Sequence, residues 1–451
     1  MKKILALMFA LITLALCILG CSKISVGTVC ILCESGESAE VYNAIAKEYS
    51  KLTGVAVSVK TVASGDYESS LKNMLIGDSA PSLFFIRSDY DLKNLYGFCY
   101  DLTNSKLYQT LFDKSFAFKS DGNVSAIPID IEGFGLIYNK KIMDRYFALP
   151  TKTTDIDSIE KIKNFDTLKN VVEDMTANKA LIGIDGVFSS TPLSPGSQWI
   201  LTTQLFNIPL YYEFQNQIDN AAPRDTYPDF EFKYKDNYKS IFDLYTDNSV
   251  TPKNQLSRKT ISNAMAEFAL GKCAMVQNGD FSISRILDIT GNTVNSDDIK
   301  FIPIYMGMND ESSRGLCISV KQAFCVNDKV KNADKEASLK FMEWLFTDQN
   351  GLSYATKNLR ITPPFITSPK PEIIPKPLDN PLSSEIIRYI NLSDFKSIKE
   401  VYSLIPSEDF KAAFGKALVL YTNGRLTWDE VVEKVNAEFN SKTAPTAVTT
   451  N

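Results

Sequence analysis

Ala126-Ile127-Pro128-Ile129-Asp130-Ile131-Glu132-Gly133-Phe134-Gly135-Leu136-Ile137-Tyr138-Asn139-Lys140 is the stretch on which the fold turns. It reads as two short strands, Ala126 to Ile129 and Gly135 to Tyr138, with Glu132 and Gly133 in the break between them. Upstream, Thr28 to Cys33 reads as a strand, and Ser38 to Leu52 as a helix with apolar positions at Val41, Ile45 and Tyr49. Gly54 ends that helix, and Val55, Val57 and Val59 alternate as a second strand. Ser69 to Ile76 reads as a helix and Pro81 to Ile86 as a buried strand. Strand, helix, strand, helix, strand predicts a parallel sheet with crossover helices, an α/β architecture.

Downstream of Tyr138 the pattern is helical as far as Thr246. Ile261 to Leu270 reads as a helix and Cys273 to Gln277 as a short strand; strand patterning resumes at Lys300 to Ile304 and Leu316 to Cys325. Lys335 to Thr347 forms an amphipathic helix that contains Trp344. The prolines from Pro363 to Pro381 predict a stiff surface crossing. Ser407 to Leu420 and Thr427 to Phe439 close the chain as helices, the second opened by a capping box of Thr427 and Glu430. The polar residues 441–451 predict a disordered tail.

Composition narrows the function. The chain has 451 residues, 44% of them hydrophobic and 22% charged, which suits a folded globular protein of two domains. Its formal charge of −5 is the wrong sign for a general nucleic-acid binder. Histidine is absent, which removes Ser-His-Asp and Cys-His catalysis and every histidine-ligated metal site. No metal and no cofactor is expected. Cys30, Cys33, Cys99, Cys273, Cys317 and Cys325 lie within apolar runs, where a free cysteine packs as a small hydrophobe. Six exported cysteines could also form disulfides, but core packing is the better reading and points to a reducing or anaerobic setting.

The amino terminus carries an address. Lys2 and Lys3 precede an apolar run from Ile4 to Ile18, and Leu19-Gly20-Cys21 follows. This resembles a bacterial lipoprotein signal, which implies cleavage before Cys21, lipid on Cys21, and a mature protein anchored to the outer face of the cell membrane. Residues 22–27 would form a short tether to the globular part.

Lys51-Leu52-Thr53-Gly54-Val55-Ala56-Val57, Ala80-Pro81-Ser82-Leu83-Phe84-Phe85, the Ile127-Pro128 strand leading into Glu132 to Lys140, and Gly271-Lys272-Cys273-Ala274-Met275 with Asn278-Gly279-Asp280-Phe281 occur in this order along the chain. Together they resemble the extracellular solute-binding proteins of carbohydrate ABC transporters, the family that includes maltose-binding protein. The resemblance implies a two-lobed periplasmic-binding-protein-like fold (type II) with hinged lobes and a ligand cleft between them. Residues 28–130 and 300–346 would build the first lobe, and 131–299 and 347–440 the second. It further implies a monomer that binds a carbohydrate and presents it to ABC permease transmembrane subunits.

Sugar recognition needs carboxylates or amides to accept hydrogen bonds from hydroxyls, and aromatic faces to cover the C–H surface of the ring. Glu132 aligns with a family glutamate that binds sugar hydroxyls; otherwise it is a surface carboxylate of the hinge. Glu37 could reach the ligand from the start of the first helix, or cap that helix. Asp66 and Tyr67 follow the second strand and Asp89 follows the Leu83 to Ile86 strand, where loops gather into ligand crevices; the two acids could equally form turns or caps. Trp199 lies ahead of a helix, where a stacking platform is favoured over a core residue. Phe281 stands where the family often has Trp, with Asp280 beside it as a further acceptor. Trp344 and Trp428 are assigned to packing. An importer receptor is favoured over a secreted glycosidase working through two carboxylates, and over a binder of amines or peptides.

Overall fold

β1 (Val29–Glu34) runs parallel to β2 (Val57–Val62), with Val29 opposite Val57 and Glu34 opposite Val62. In the computed structural model, which describes residues 27–34, 36–63, 66–77, 79–219, 226–366, 380–392 and 394–443, the chain divides into two compact units. The first takes the chain up to residue 109 together with 117–127 and 324–354; the second takes 110–116, 128–323 and 355 onward. The signal residues 1–21, including Cys21, and most of the tether lie outside the described residues. Gly27, the last residue of that tether, is instead packed: a Cβ there would meet the Ala333 carbonyl oxygen at 1.9 Å.

In the first unit β3 (Leu83–Ile86) lies parallel to β1, Ile31 opposite Leu83, and is buried throughout. The helix Glu37–Thr53 makes the crossover from β1 to β2. It buries Ala39, Tyr42, Ile45, Ala46 and Tyr49, a stripe at three- and four-residue spacing, and ends at Gly54 with φ 75°. The helix Asn332–Thr347 supplies Phe341 and Trp344, whose rings lie 5.1 and 5.0 Å from that of Tyr49. Trp344 is thus a packing residue, as its spacing predicted.

β5 (Asn123–Asn139) is one strand of 17 residues and not two strands with a break. Its start pairs antiparallel with β4 (Phe118–Ser120), and from Pro128 onward it belongs to the second unit. Gly133, read as part of a break, and Gly135 are sites of close approach. A Cβ on Gly135 would meet the Ile302 carbonyl oxygen at 2.7 Å, and one on Gly133 would meet Ile386 Cγ1 at 2.9 Å.

In the second unit β5 pairs antiparallel with β7 (Cys273–Gly279), Phe134 opposite Gly279, and with β8 (Ile299–Ile302), Leu136 opposite Ile302. β6 (Gly186–Phe188) runs parallel to β7, and β10 (Lys396–Lys399) pairs parallel with β9 (Arg314–Val326). The sequence pattern does not predict β4, β6 or β10, which are three or four residues long and, unlike β3, are not continuous apolar runs. Residues 300–323, expected in the first lobe, lie in the second unit, since β8 finds its partner in the later half of β5. A second core there gathers Phe230, Phe232, Phe410, Phe414 and Phe439 around the fully buried Phe206, and Trp428 stacks on Tyr238 at 6.0 Å.

The proline-rich segment departs furthest from expectation. Residues 361–365 are buried and not a surface crossing: Ile131 N–H donates to Thr362 O at 3.0 Å, and Phe112 N–H to Pro364 O at 3.0 Å. Pro381 opens a helix, Pro381–Ile390, in which Asn380 caps the Leu382 and Ser383 amides. The fixed φ of proline suits a first helical turn, so this proline starts an element that it seemed to forbid. Residues 367–379 lie outside the described residues. The last helix, Trp428–Thr443, runs past the predicted start of the tail, and residues 444–451 are outside the description. Its capping box is present: Glu430 Oε2 accepts from Thr427 N–H at 2.7 Å, and Thr427 Oγ1 from Glu430 N–H at 3.3 Å. Cys30, Cys33, Cys99, Cys273, Cys317 and Cys325 are free thiols, four of them buried.

Candidate functional site

Along β5 successive side chains alternate in direction, so Asp130 and Glu132 share one face of the strand. Asp130 is buried: its Oδ1 accepts from Thr362 N–H at 2.8 Å and its Oδ2 lies 3.4 Å from Lys321 Nζ. Burial pushes its carboxyl up to about 6, against the pull of Lys321. Glu132 is half-buried, and among the residues of β5 from Val124 to Asn139 it alone is not fully buried. Burial raises its carboxyl to about 7; Lys321 opposes the rise, while Asp280, Asp130 and Glu400 add to it. Burial works against the charge of Lys321, but Asp130, Glu132 and Asp280 outweigh it and hold the ammonium above its ordinary range. The group is three carboxylates about one cation, and two of the carboxyls release their protons near neutral pH.

Asp280 follows β7 and joins this group to the aromatic residues. Its Oδ1 accepts from Gly133 N–H at 3.2 Å and its Oδ2 from Ser383 Oγ at 2.7 Å. With both oxygens engaged and the side chain buried, Asp280 acts as a brace between β5, β7 and the helix Pro381–Ile390, and burial raises its carboxyl. Glu132 and Phe281 are the chain neighbours of this bonded pair. Phe281 is 41% exposed, and its ring centroid lies 6.2 Å from that of Trp199 with the planes at 33°. Trp199 is half-buried and stands immediately before a π-helical turn, Ile200–Leu205. Of the residues expected to hold a ligand, Glu132, Asp280, Phe281 and Trp199 lie in the second unit, with Asp280 bonded to Gly133, the chain neighbour of Glu132, and Trp199 beside Phe281.

In the first unit the expected residues gather at the carboxyl ends of the parallel strands. Glu37 opens the helix after β1 and is exposed; the cap position is Gly36, so Glu37 does not cap the helix. Asp66 is exposed ahead of the helix Tyr67–Ile76 and makes no side-chain capping bond. Asp89 is the first residue of the helix Asp89–Leu95, and its side chain lies outside the description. Tyr67 is a correction: it is in the helix and not the loop, and it is buried. Its hydroxyl accepts from Phe85 N–H at 2.8 Å and donates to Leu32 O at 3.3 Å, so it ties β3 to β1. The Arg87 guanidinium lies 4.7 Å over its ring and 3.3 Å from Glu34. A cavity of about 200 Å³ opens there, lined by Glu34, Tyr67, Glu68, Phe85, Arg87 and Asp91 among others.

Sequence reasoning missed Asp130 and Lys321. The Ile129-Asp130-Ile131-Glu132 alternation placed Asp130 on the face of Glu132 and could have revealed it. Lys321 carries no such sign, since only the pairing of strands sets it beside Asp130.

A family model described as bacterial extracellular solute-binding protein matches residues 44–377. No curated protein matches the chain. Among solved structures it is similar to a family 1 extracellular solute-binding protein from Bifidobacterium longum subsp. infantis, at a TM-score of 0.65 and 15% identity over 92% of this chain and 100% of that one. It is also similar to the apo form of RafE from Streptococcus pneumoniae, at a TM-score of 0.66 and 15% identity over 94% and 99%. RafE in complex with raffinose is matched at a TM-score of 0.56 and 16% identity, over 92% and 100%. At such identities the likeness speaks for the fold, an α/β fold of the two-lobed substrate-binding class. With the family model spanning most of its length, this chain belongs to the bacterial extracellular solute-binding proteins.

Proposed function

We propose that the protein captures a carbohydrate, in the first instance an oligosaccharide, and delivers it unchanged to the transmembrane subunits of an ABC importer. The observation that carries this reading is the joint made by Asp280 and Gly133. It makes the partly accessible Glu132 and the exposed Phe281 chain neighbours of a bonded pair, and Phe281 lies beside Trp199; a carboxylate and aromatic faces are the two kinds of group that sugar recognition requires. Family membership supports capture over catalysis, and the raffinose carried by RafE supports the choice of a sugar. Glu37, Asp66 and Asp89, at strand ends of the first unit, are carried forward as proposed ligand contacts. Lipid on Cys21 would anchor the protein to the outer face of the cell membrane as a monomer.

Calorimetric titration of the full chain with raffinose, maltooligosaccharides, polyamines and short peptides tests the ligand class. Binding of a sugar that weakens in Glu132→Ala, with the sugar recovered intact by chromatography, is the expected result. Binding only of amines would reassign the acid-rich group to a cation, and shortened sugar products would make the protein a hydrolase. A Cys21→Ala variant that still fractionates with membranes would remove the lipid anchor from the reading.

A further inference from the structure

Trp199 is followed by Ile200–Leu205, a π-helical turn. Such wide turns are rare and recur at functional sites, because their loose hydrogen bonding needs outside support. Here the support comes from β7 and from the helix Lys235–Asp247. Gln277 Nε2 donates to Ile200 O at 3.0 Å, and Tyr238 OH donates to Leu201 O at 3.2 Å. Behind the turn is a cavity of about 20 Å³, lined by Ile200, Leu201, Tyr245, Val276 and Gln277 among others. Two polar atoms on residues lining it, Gln277 Oε1 and Tyr245 OH, are buried without a hydrogen-bond partner among the described residues. Their residues are 8% and 4% exposed. Buried polar atoms of this kind are costly unless paired, and a gap of this size, mostly apolar but edged by these two atoms, has room for about one water molecule.

We propose that Gln277 is a positioning residue for Trp199: its amide nitrogen holds the π-helical turn, while a water bound between its amide oxygen and the Tyr245 hydroxyl fixes the amide. The water donates to Gln277 Oε1 and exchanges a hydrogen bond with Tyr245 OH, satisfying both atoms at once. The amide is thereby locked in the orientation that points Nε2 at Ile200 O, and the turn sets the direction of the Trp199 ring beside Phe281. The inference rests on the proposed sugar site only for its consequence, since the water and the turn can be observed without any ligand.

A crystal structure of the full chain, at a resolution that shows ordered water, is expected to place one water within hydrogen-bonding distance of both Tyr245 OH and Gln277 Oε1. An empty cavity overturns the water. In Gln277→Leu the emission of Trp199, taken as the difference from Trp199→Phe, is expected to shift, and its quenching by acrylamide to rise. Unchanged emission and quenching in a folded variant overturn the positioning role. If Gln277→Leu does not fold, Gln277→Asn, too short to reach Ile200 O, is read in the same way. With raffinose as probe, Gln277→Leu is expected to bind about fivefold to tenfold more weakly, with no further loss on a Trp199→Ala background. Losses that multiply across the two variants would show that Gln277 acts elsewhere. Failure of the wild-type chain to bind raffinose would count against the sugar and leave the water and fluorescence results to decide the inference.

Discussion

Asp280 Oδ1 accepts the Gly133 amide at 3.2 Å, which ties the turn after β7 to the middle of β5. Its second oxygen takes the Ser383 hydroxyl at 2.7 Å. Asp280→Ala would leave two buried donors without an acceptor, so it is expected to cost about 3 kcal/mol. Ser383→Ala removes one partner only and is expected to cost about 1 kcal/mol. Urea denaturation followed by far-UV circular dichroism measures both, and equal losses would show that the brace is not shared as described.

Glu132 makes stability depend on pH in a predictable direction. Burial lifts its carboxyl from the ordinary 4.5 to about 7, so the folded protein holds this proton more tightly than the unfolded chain does. Its contribution is therefore most favourable below about 4.5 and is lost as pH rises to about 7. Glu132→Gln, which stays neutral, is expected to flatten the fall in melting temperature across that window. A wild-type and a variant curve that run parallel would show that Glu132 does not titrate there.

The same group should govern ligand affinity with the opposite sign. An ionised carboxylate is the stronger acceptor for sugar hydroxyls, so affinity is expected to rise as pH passes through about 7 and to lose that rise in Glu132→Gln. Calorimetry at several pH values measures this, and a pH-independent wild-type affinity would place the hydroxyl contacts elsewhere.

Trp199 and Trp428 should separate binding from folding. Trp199→Ala, at a half-buried ring beside exposed Phe281, is expected to weaken sugar binding by about 1–2 kcal/mol with little change in melting temperature. Trp428→Ala opens a cavity against Tyr238 and Tyr421 and is expected to cost about 3–5 kcal/mol of stability. Thermal denaturation and titration of the two variants, side by side, check the division.

Tyr67 is expected to behave as a strand tie. Tyr67→Phe keeps the ring under Arg87 but removes the hydroxyl from between Leu32 O and Phe85 N–H. It should cost about 1–2 kcal/mol of stability and leave affinity unchanged. A loss of affinity at unchanged stability would restore Tyr67 to the ligand site.

Periodicity and local chemistry by themselves settle a good part of this protein. The stripe of Ile45 and Tyr49, the turn at Gly54, the alternation of Val57 and Val59 and the box of Thr427 with Glu430 are decided by neighbours within a few residues, so they are legible in one dimension. The motifs from Lys51 to Phe281 carried the family, which the match over residues 44–377 shows. What the one-dimensional pattern could not hold was whatever depends on partners far along the chain. The glycines of the continuous strand β5 are there to leave room for Ile386 and Ile302, more than 160 residues away. Residues 361–365, at the start of the proline-rich run, are buried where they accept hydrogen bonds from Ile131 and Phe112. The same dependence sorts the candidate residues: Tyr67 and Asp280 are spent on holding strands together, whereas Glu132, Trp199 and Phe281 keep part of their surface open. Residue type decided which groups could meet a sugar. Only tertiary packing, by spending the hydrogen bonds of some and exposing others, decided which are free to do so.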